Sequence, residues 1–222
     1  MCLGNISTIA FTALMTACLA FSLATTFYPA SRIINQASDL VDDCSKNPSD
    51  PSCDQLQYIL KADVIPFGCA IASIFKVLEY KQFSDKTNVC KDSWSQFSKD
   101  AQRLYACVAI AMIGALIGVI AGIITCVLFS CCACLRMIPM ILLTGLGLII
   151  TVSLITYTIT YAEYKSTMFS EIHDQLFPSW DVDSIRHVQS LTLAFGAIAT
   201  VAAGLATVSA FLGIFTSLPC CC

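Results

Sequence analysis

Cysteine is the residue with the most chemistry to offer in this chain. Fourteen occur in 222 residues, and they fall into two groups, with Cys18 and Cys107 left inside apolar runs. Cys44, Cys53, Cys69 and Cys90 share one polar stretch. Four cysteines can close two disulfides in three pairings. Cys44–Cys53 and Cys69–Cys90 are favoured, because the first closes a proline-rich turn and the second ties a helical hairpin; four free buried thiols are the competing reading. The second group is Cys2, Cys126, Cys131, Cys132, Cys134, Cys220, Cys221 and Cys222, all flanking apolar runs away from the polar stretches. Juxtamembrane cysteines beside apolar residues are S-acylation sites. Free thiols and metal binding compete with that reading, but Cys131-Cys132-Ala133-Cys134 lacks the C-x-x-C pairs and histidines of a zinc site. Pro219 stands where a C-terminal prenylation box would need cysteine.

Other chemistry is sparse. The two histidines, His173 and His187, lie in one polar stretch, and surface imidazole is the plainer reading than a catalytic set with Asp183. Asp39, Asp42, Asp43, Asp50 and Asp54 lack the spacing of a calcium loop. No catalytic residue, metal ligand or cofactor site is assigned, and the chain reads as a non-enzyme.

The elements that carry these residues are membrane helices. The chain is 57% hydrophobic and 12% charged, where a soluble domain is about 25% charged. Four apolar runs, 6–28, 104–129, 138–161 and 190–218, exceed the roughly 20 residues needed to cross a bilayer. A fifth run, 64–75, is too short and holds Pro66 and Gly68. Ser22-Leu23-Ala24 resembles a signal-peptide cleavage site, but no positive residue precedes the first run. Lys, Arg, Asp and Glu are confined to 32–103 and 163–186, apart from Arg136 in the turn at 130–137. A net charge of −3 with no basic patch gives no sign of a nucleic-acid partner, and none is expected. Spans without charge argue against an active transporter.

The two polar stretches read as helical. In 29–103, Ile33, Ile34, Ala37, Leu40 and Val41 follow a helical stripe, as do Leu56, Ile59 and Leu60, and Ile71, Ile74 and Phe75. Ser93 with Gln96 forms a capping box, from which Trp94, Phe97 and Ala101 run into the second span. In 162–189, Met168, Ile172 and Leu176 extend the third span; Pro178 makes a turn and Asp183 or Ser184 caps the fourth. The expected class is all-α: a four-helix antiparallel membrane bundle with a helical, disulfide-tied extramembrane domain.

Small residues set the expected packing. Gly114, Gly118 and Gly122 recur every fourth residue, and at helical periodicity they share a face. Such a face admits another helix to backbone contact, and the first or fourth span is the expected neighbour. Gly196 and Gly204 repeat the spacing, with Thr200 between them, and 138–161 carries Gly145, Gly147, Thr151 and Ser153. Hydroxyls at Thr151, Ser153, Thr156, Thr158 and Thr160 spread over more than one face, so bonding to neighbouring helices is expected in place of a pore.

Orientation signals conflict. Lys165 and Arg186 against the single Arg136 favour the polar stretches inside the cell, weakly. The cysteine split favours them outside, with paired thiols outside and acylated thiols inside. The second reading, with both termini cytoplasmic, is preferred.

Taken over the whole chain, the outline resembles the claudin-like four-span proteins, including PMP22-type and Sur7-type members. It shares a long first loop with cysteines, a short inner turn at 130–136 and a shorter second loop. Gln102-Arg103 is similar to the arginine that many claudins carry there. The W…G-L-W…C…C signature is absent, Trp94 and Trp180 stand apart, and the first loop reads helical where claudin loops are β-sheets. The resemblance carries over no residue. The expected function is a non-enzymatic scaffold or accessory protein of the plasma membrane. Its expected partners are the bilayer and other membrane proteins or further copies of itself, with no small-molecule substrate evident. A channel or channel-auxiliary subunit is the alternative.

Overall fold

The computed structural model describes residues 3–46, 99–128, 133–175 and 182–217, with side chains at 6–29, 99–100, 102–128, 136–163 and 186–217. These residues form four helices: α1 (Leu3–Lys46), α2 (Lys99–Leu128), α3 (Ala133–Gln175) and α4 (Val182–Ser217). Each contains a segment long and apolar enough to span a membrane: Ile6–Pro29, Gln102–Leu128, Arg136–Glu163 and Arg186–Ser217. The protein is therefore an integral membrane protein whose described residues are all helical. A bilayer interior offers backbone groups no water to bond, which is why spans of this composition close their hydrogen bonds within helices.

Two helices run far past their spans. α1 has 44 residues and continues through Pro29, and α3 has 43 and contains Pro139. Proline lacks the N–H that would reach the carbonyl four residues back, so Pro29 leaves the Thr25 carbonyl without that bond. The helix is not broken there. Thr25 Oγ1 bonds the carbonyls of Phe21 (3.0 Å) and Ser22 (2.7 Å) on the same stretch. Cys44 consequently belongs to the end of α1, where the sequence suggested the start of a turn. α3 begins at Ala133, so Cys134 and Arg136 lie in its first turn and not in a connecting loop.

Contacts divide the chain into two compact units. The first comprises Met1–Thr25, Ala106–Ile159 and Thr192–Cys222; the second comprises Thr26–Tyr105 and Thr160–Leu191. In the first unit, contacts fix an up-down-up-down bundle. α2 meets α1 at Gly118 with Met15 and Gly122 with Phe11, and meets α3 at Gly114 with Ile150. α4 meets α3 at Gly196 with Tyr157 and Gly147 with Thr207, and meets α1 at Gly213 with Ser7. In each pair one index rises as the other falls, so neighbouring helices are antiparallel. Phe21 and Phe195, with ring centroids 6.1 Å apart, extend the α1–α4 contact.

The centre of this unit is apolar. Phe11, Met15 and Cys18 from α1 join Ala111 and Ala115 from α2, Met140, Ile150 and Leu154 from α3, and Ala199, Ala203, Ala206 and Ala210 from α4. The alanine face of α4 lets its backbone approach the larger side chains opposite. Ile, Leu, Val and Phe point outward, among them Ile113, Val127, Leu142 and Val201. Lipid tails are as apolar as these side chains, so the bundle is held by close packing and not by escape from water.

In the second unit, Asp100 and Arg103 on the first turns of α2 form an exposed ion pair at 3.6 Å. An exposed pair of this kind contributes about 0–1 kcal/mol. Leu104 is buried in the same turns, and Ser190 donates to the Arg186 carbonyl at 2.8 Å.

Candidate helix-packing and buried-charge site

The glycines can be read by the space a Cβ would need. At Gly114 it would come within 2.8 Å of Ile150 Cγ1; at Gly118 it would lie 3.5 Å from Met15 Cγ and 3.7 Å from Leu146 Cδ2. At Gly122 it would overlap Thr12 Oγ1 and sit 3.4 Å from Phe11. The α2 ladder thus faces α3 at its start, both α1 and α3 at its middle, and α1 at its end. The reason is angular. At 3.6 residues per turn, each four-residue step overshoots a full turn by about 40°, so the ladder sweeps round the helix as it descends.

The α4 glycines behave differently. Gly196 lies against Tyr157, with Cε1 at 3.1 Å from an added Cβ, whereas Gly204 has no atom within 4 Å. Two glycines that the four-residue spacing did not single out are packed more tightly. A Cβ at Gly147 would lie 2.5 Å from Thr207 Oγ1 and 3.3 Å from Thr207 Cα, and this is the closest backbone approach between helices among the described glycines. A Cβ at Gly213 would overlap Met140 Cε. Neither repeats at four-residue spacing: Gly147 follows Gly145 by two residues, and Gly213 stands alone in an apolar run.

The hydroxyls turn inward on their own helices. Thr151, Thr156 and Thr158 donate to the carbonyls of Gly147, Val152 and Leu154, at 2.8, 3.0 and 2.8 Å. Thr200 and Thr207 do the same to Gly196 and Ala203, both at 2.8 Å. Across the α3–α4 seam, Thr151 meets Thr207 and Thr158 meets Thr200, each pair at 3.4 Å. Each hydroxyl has one proton and two lone pairs, so it can serve a carbonyl on its own helix and also bond across the seam. Thr151 and Thr158 do both, as expected of hydroxyls that bond neighbouring helices. Both pairs keep one register, seven residues apart on each helix.

Arg136 is the other feature. Only 2% of it is exposed, and Thr8, Thr125 and Ser217 are equally buried, one on each of the other three helices. Cys126 lies within range of its charge.

The described thiols differ in burial: Cys18 is in the core, and Cys107 and Cys126 are half-buried on α2. Cys44 and Cys134 are placed by backbone alone. Cys2, Cys53, Cys69, Cys90, Cys131, Cys132 and Cys220–Cys222 lie outside the described residues, as do the capping box at Ser93 and the helical stripes at 56–75. His187 is exposed on the second turn of α4. Among the described residues no group of His, Cys, Asp and Glu is placed to hold a metal. No family model, no curated protein and no solved structure matches this chain.

Proposed function

We propose that this integral membrane protein is a non-enzymatic four-span scaffold or accessory protein that organises partners within the membrane. One observation carries the reading. The bundle centre buries Phe11, Met15, Met140, Ile150 and Leu154, and the seam hydroxyls bond to their own helices and to each other. An interior of that kind supports packing, whereas conduction would need a polar stripe or ring. The channel-subunit alternative then requires several copies around a shared axis.

The finer reading has four parts. The loop 29–103 is a helical domain tied by Cys44–Cys53 and Cys69–Cys90 bridges. The polar stretches face outward from the plasma membrane, and both termini are cytoplasmic. The cysteines at the Arg136 end carry acyl chains, which tune lateral clustering, since four spans already anchor the chain. The layout is of the claudin-like kind.

The test is cross-linking of the chain in its native membrane, followed by native electrophoresis and mass spectrometry. A defined assembly with other membrane proteins is the expected result. A chain found only as its own ring that conducts ions after reconstitution would replace this reading with the channel. Non-reducing digestion tests the bridges separately, and four alkylatable thiols at Cys44, Cys53, Cys69 and Cys90 would refute both bridges and orientation.

A further inference from the structure

α1 runs as one helix from Leu3 to Lys46, and it passes from the first compact unit to the second between Thr25 and Thr26. The other three helices make the same passage at 105–106, 159–160 and 191–192. Among the four, α1 alone carries a proline beside its passage. Pro29 follows it directly, whereas Pro139 lies in the second turn of α3, far from 159–160, and α2 and α4 contain no proline. Two effects weaken the α1 ladder at this one place. Pro29 has no N–H for the Thr25 carbonyl, and its ring crowds that same carbonyl. Thr25 in turn directs its hydroxyl back to the carbonyls of Phe21 at 3.0 Å and Ser22 at 2.7 Å. A threonine bonded to the preceding turn loosens and bends a helix. Thr151, Thr158 and Thr200 bond backwards too, but no proline follows them four residues on. The chain before the weak rung is held firmly. Phe11, Met15 and Cys18 sit in the core, Phe21 lies against Phe195, and Thr25 is buried. The fault therefore stands where the packed part of α1 ends.

We infer that Thr25–Pro29 is a swivel in α1, about which the arm 30–46 changes direction while 3–25 stays packed in the bundle. Sharp changes of helix direction occur at proline, and a few residues suffice to absorb the dihedral change of a hinge. The swivel goes beyond the scaffold reading and does not depend on it. It lets the polar arm of α1 reorient without repacking Phe11, Met15 or Cys18.

Distance distributions from double electron–electron resonance test the swivel, on the full chain in lipid nanodiscs. Spin labels are carried by unnatural residues, which leave the cysteines untouched. The pair at Ala13 and Asn35 brackets the swivel; the pair at His187 and Val208 brackets the passage of α4 at a similar separation. The α1 distribution is expected to be about twice as broad as that of α4, and Pro29→Ala, which restores the missing rung, should narrow it to the α4 width. Thr25→Val, which removes the backward bonds, should narrow it in part, and it carries the same test if Pro29→Ala does not assemble. Equal widths in the parent chain would overturn the swivel. So would a broad α1 distribution that the substitutions leave broad, which is the mark of a frayed arm.

Discussion

Helices α2 and α4 carry the same glycine spacing, and the bundle uses it differently. On α2, Gly114, Gly118 and Gly122 all meet a neighbour; on α4, Gly196 meets Tyr157 while Gly204 faces open space. The drift of about 40° per four-residue step is common to both. On α2 the drift carries the ladder from α3 across to α1, so each glycine finds a helix. On α4 the inward face belongs to Ala199, Ala203, Ala206 and Ala210, and the ladder drifts off α3 with nothing beyond it. Spacing shows that a small-residue face exists. The phase of that face relative to the neighbours decides whether it is used.

Substitutions can break this contrast in order of size. Gly147→Ala has the largest expected effect of any alanine replacement, because the Thr207 backbone stands in the way and a backbone cannot rotate aside. Overpacking of that kind costs about 3 kcal/mol, read as a lowered midpoint in reversible denaturation from mixed micelles. Gly114→Ala meets only the Ile150 side chain, which can shift; a loss of about 1 kcal/mol is expected, smaller when combined with Ile150→Val. Thr151→Val and Thr158→Val remove hydroxyls that bond Thr207 and Thr200 across the α3–α4 seam at 3.4 Å. Each should cost little, and a double-mutant cycle with Thr207→Val or Thr200→Val should show coupling near the average of about 0.6 kcal/mol for interhelical bonds. Zero coupling would reduce the seam to plain packing. Gly204→Ala closes the series with no loss, and a small gain from helix propensity would be consistent.

Much of the fold is legible in the residues alone. Four uncharged runs of bilayer length dictate four spans, and helical stripes at 99–104 and beyond 161 carry α2 and α3 past their apolar segments. The glycine ladder on α2 is legible as a face but not as a partner, because periodicity fixes position around one helix and says nothing of which helix stands there. Gly147 and Gly213 are illegible for a related reason: a glycine outside a four-residue ladder gains meaning only from the Thr207 and Met140 opposite. Arg136 shows a different limit. As the one charge near a cysteine-rich turn it reads as a loop residue, and the structure instead places it in the first turn of α3, where it is buried.

The most direct measurement pairs Gly118→Leu with Gly204→Leu in the full chain and compares unfolding midpoints and assembly in the same lipid. Leucine at 118 must enter the contact with Met15 and Leu146; leucine at 204 enters open space. The account predicts that the first misassembles or loses about 3 kcal/mol while the second behaves as the parent. Equal losses at both sites would contradict it, because spacing and not phase would then govern packing. No loss at either would leave the α2 glycines as composition alone.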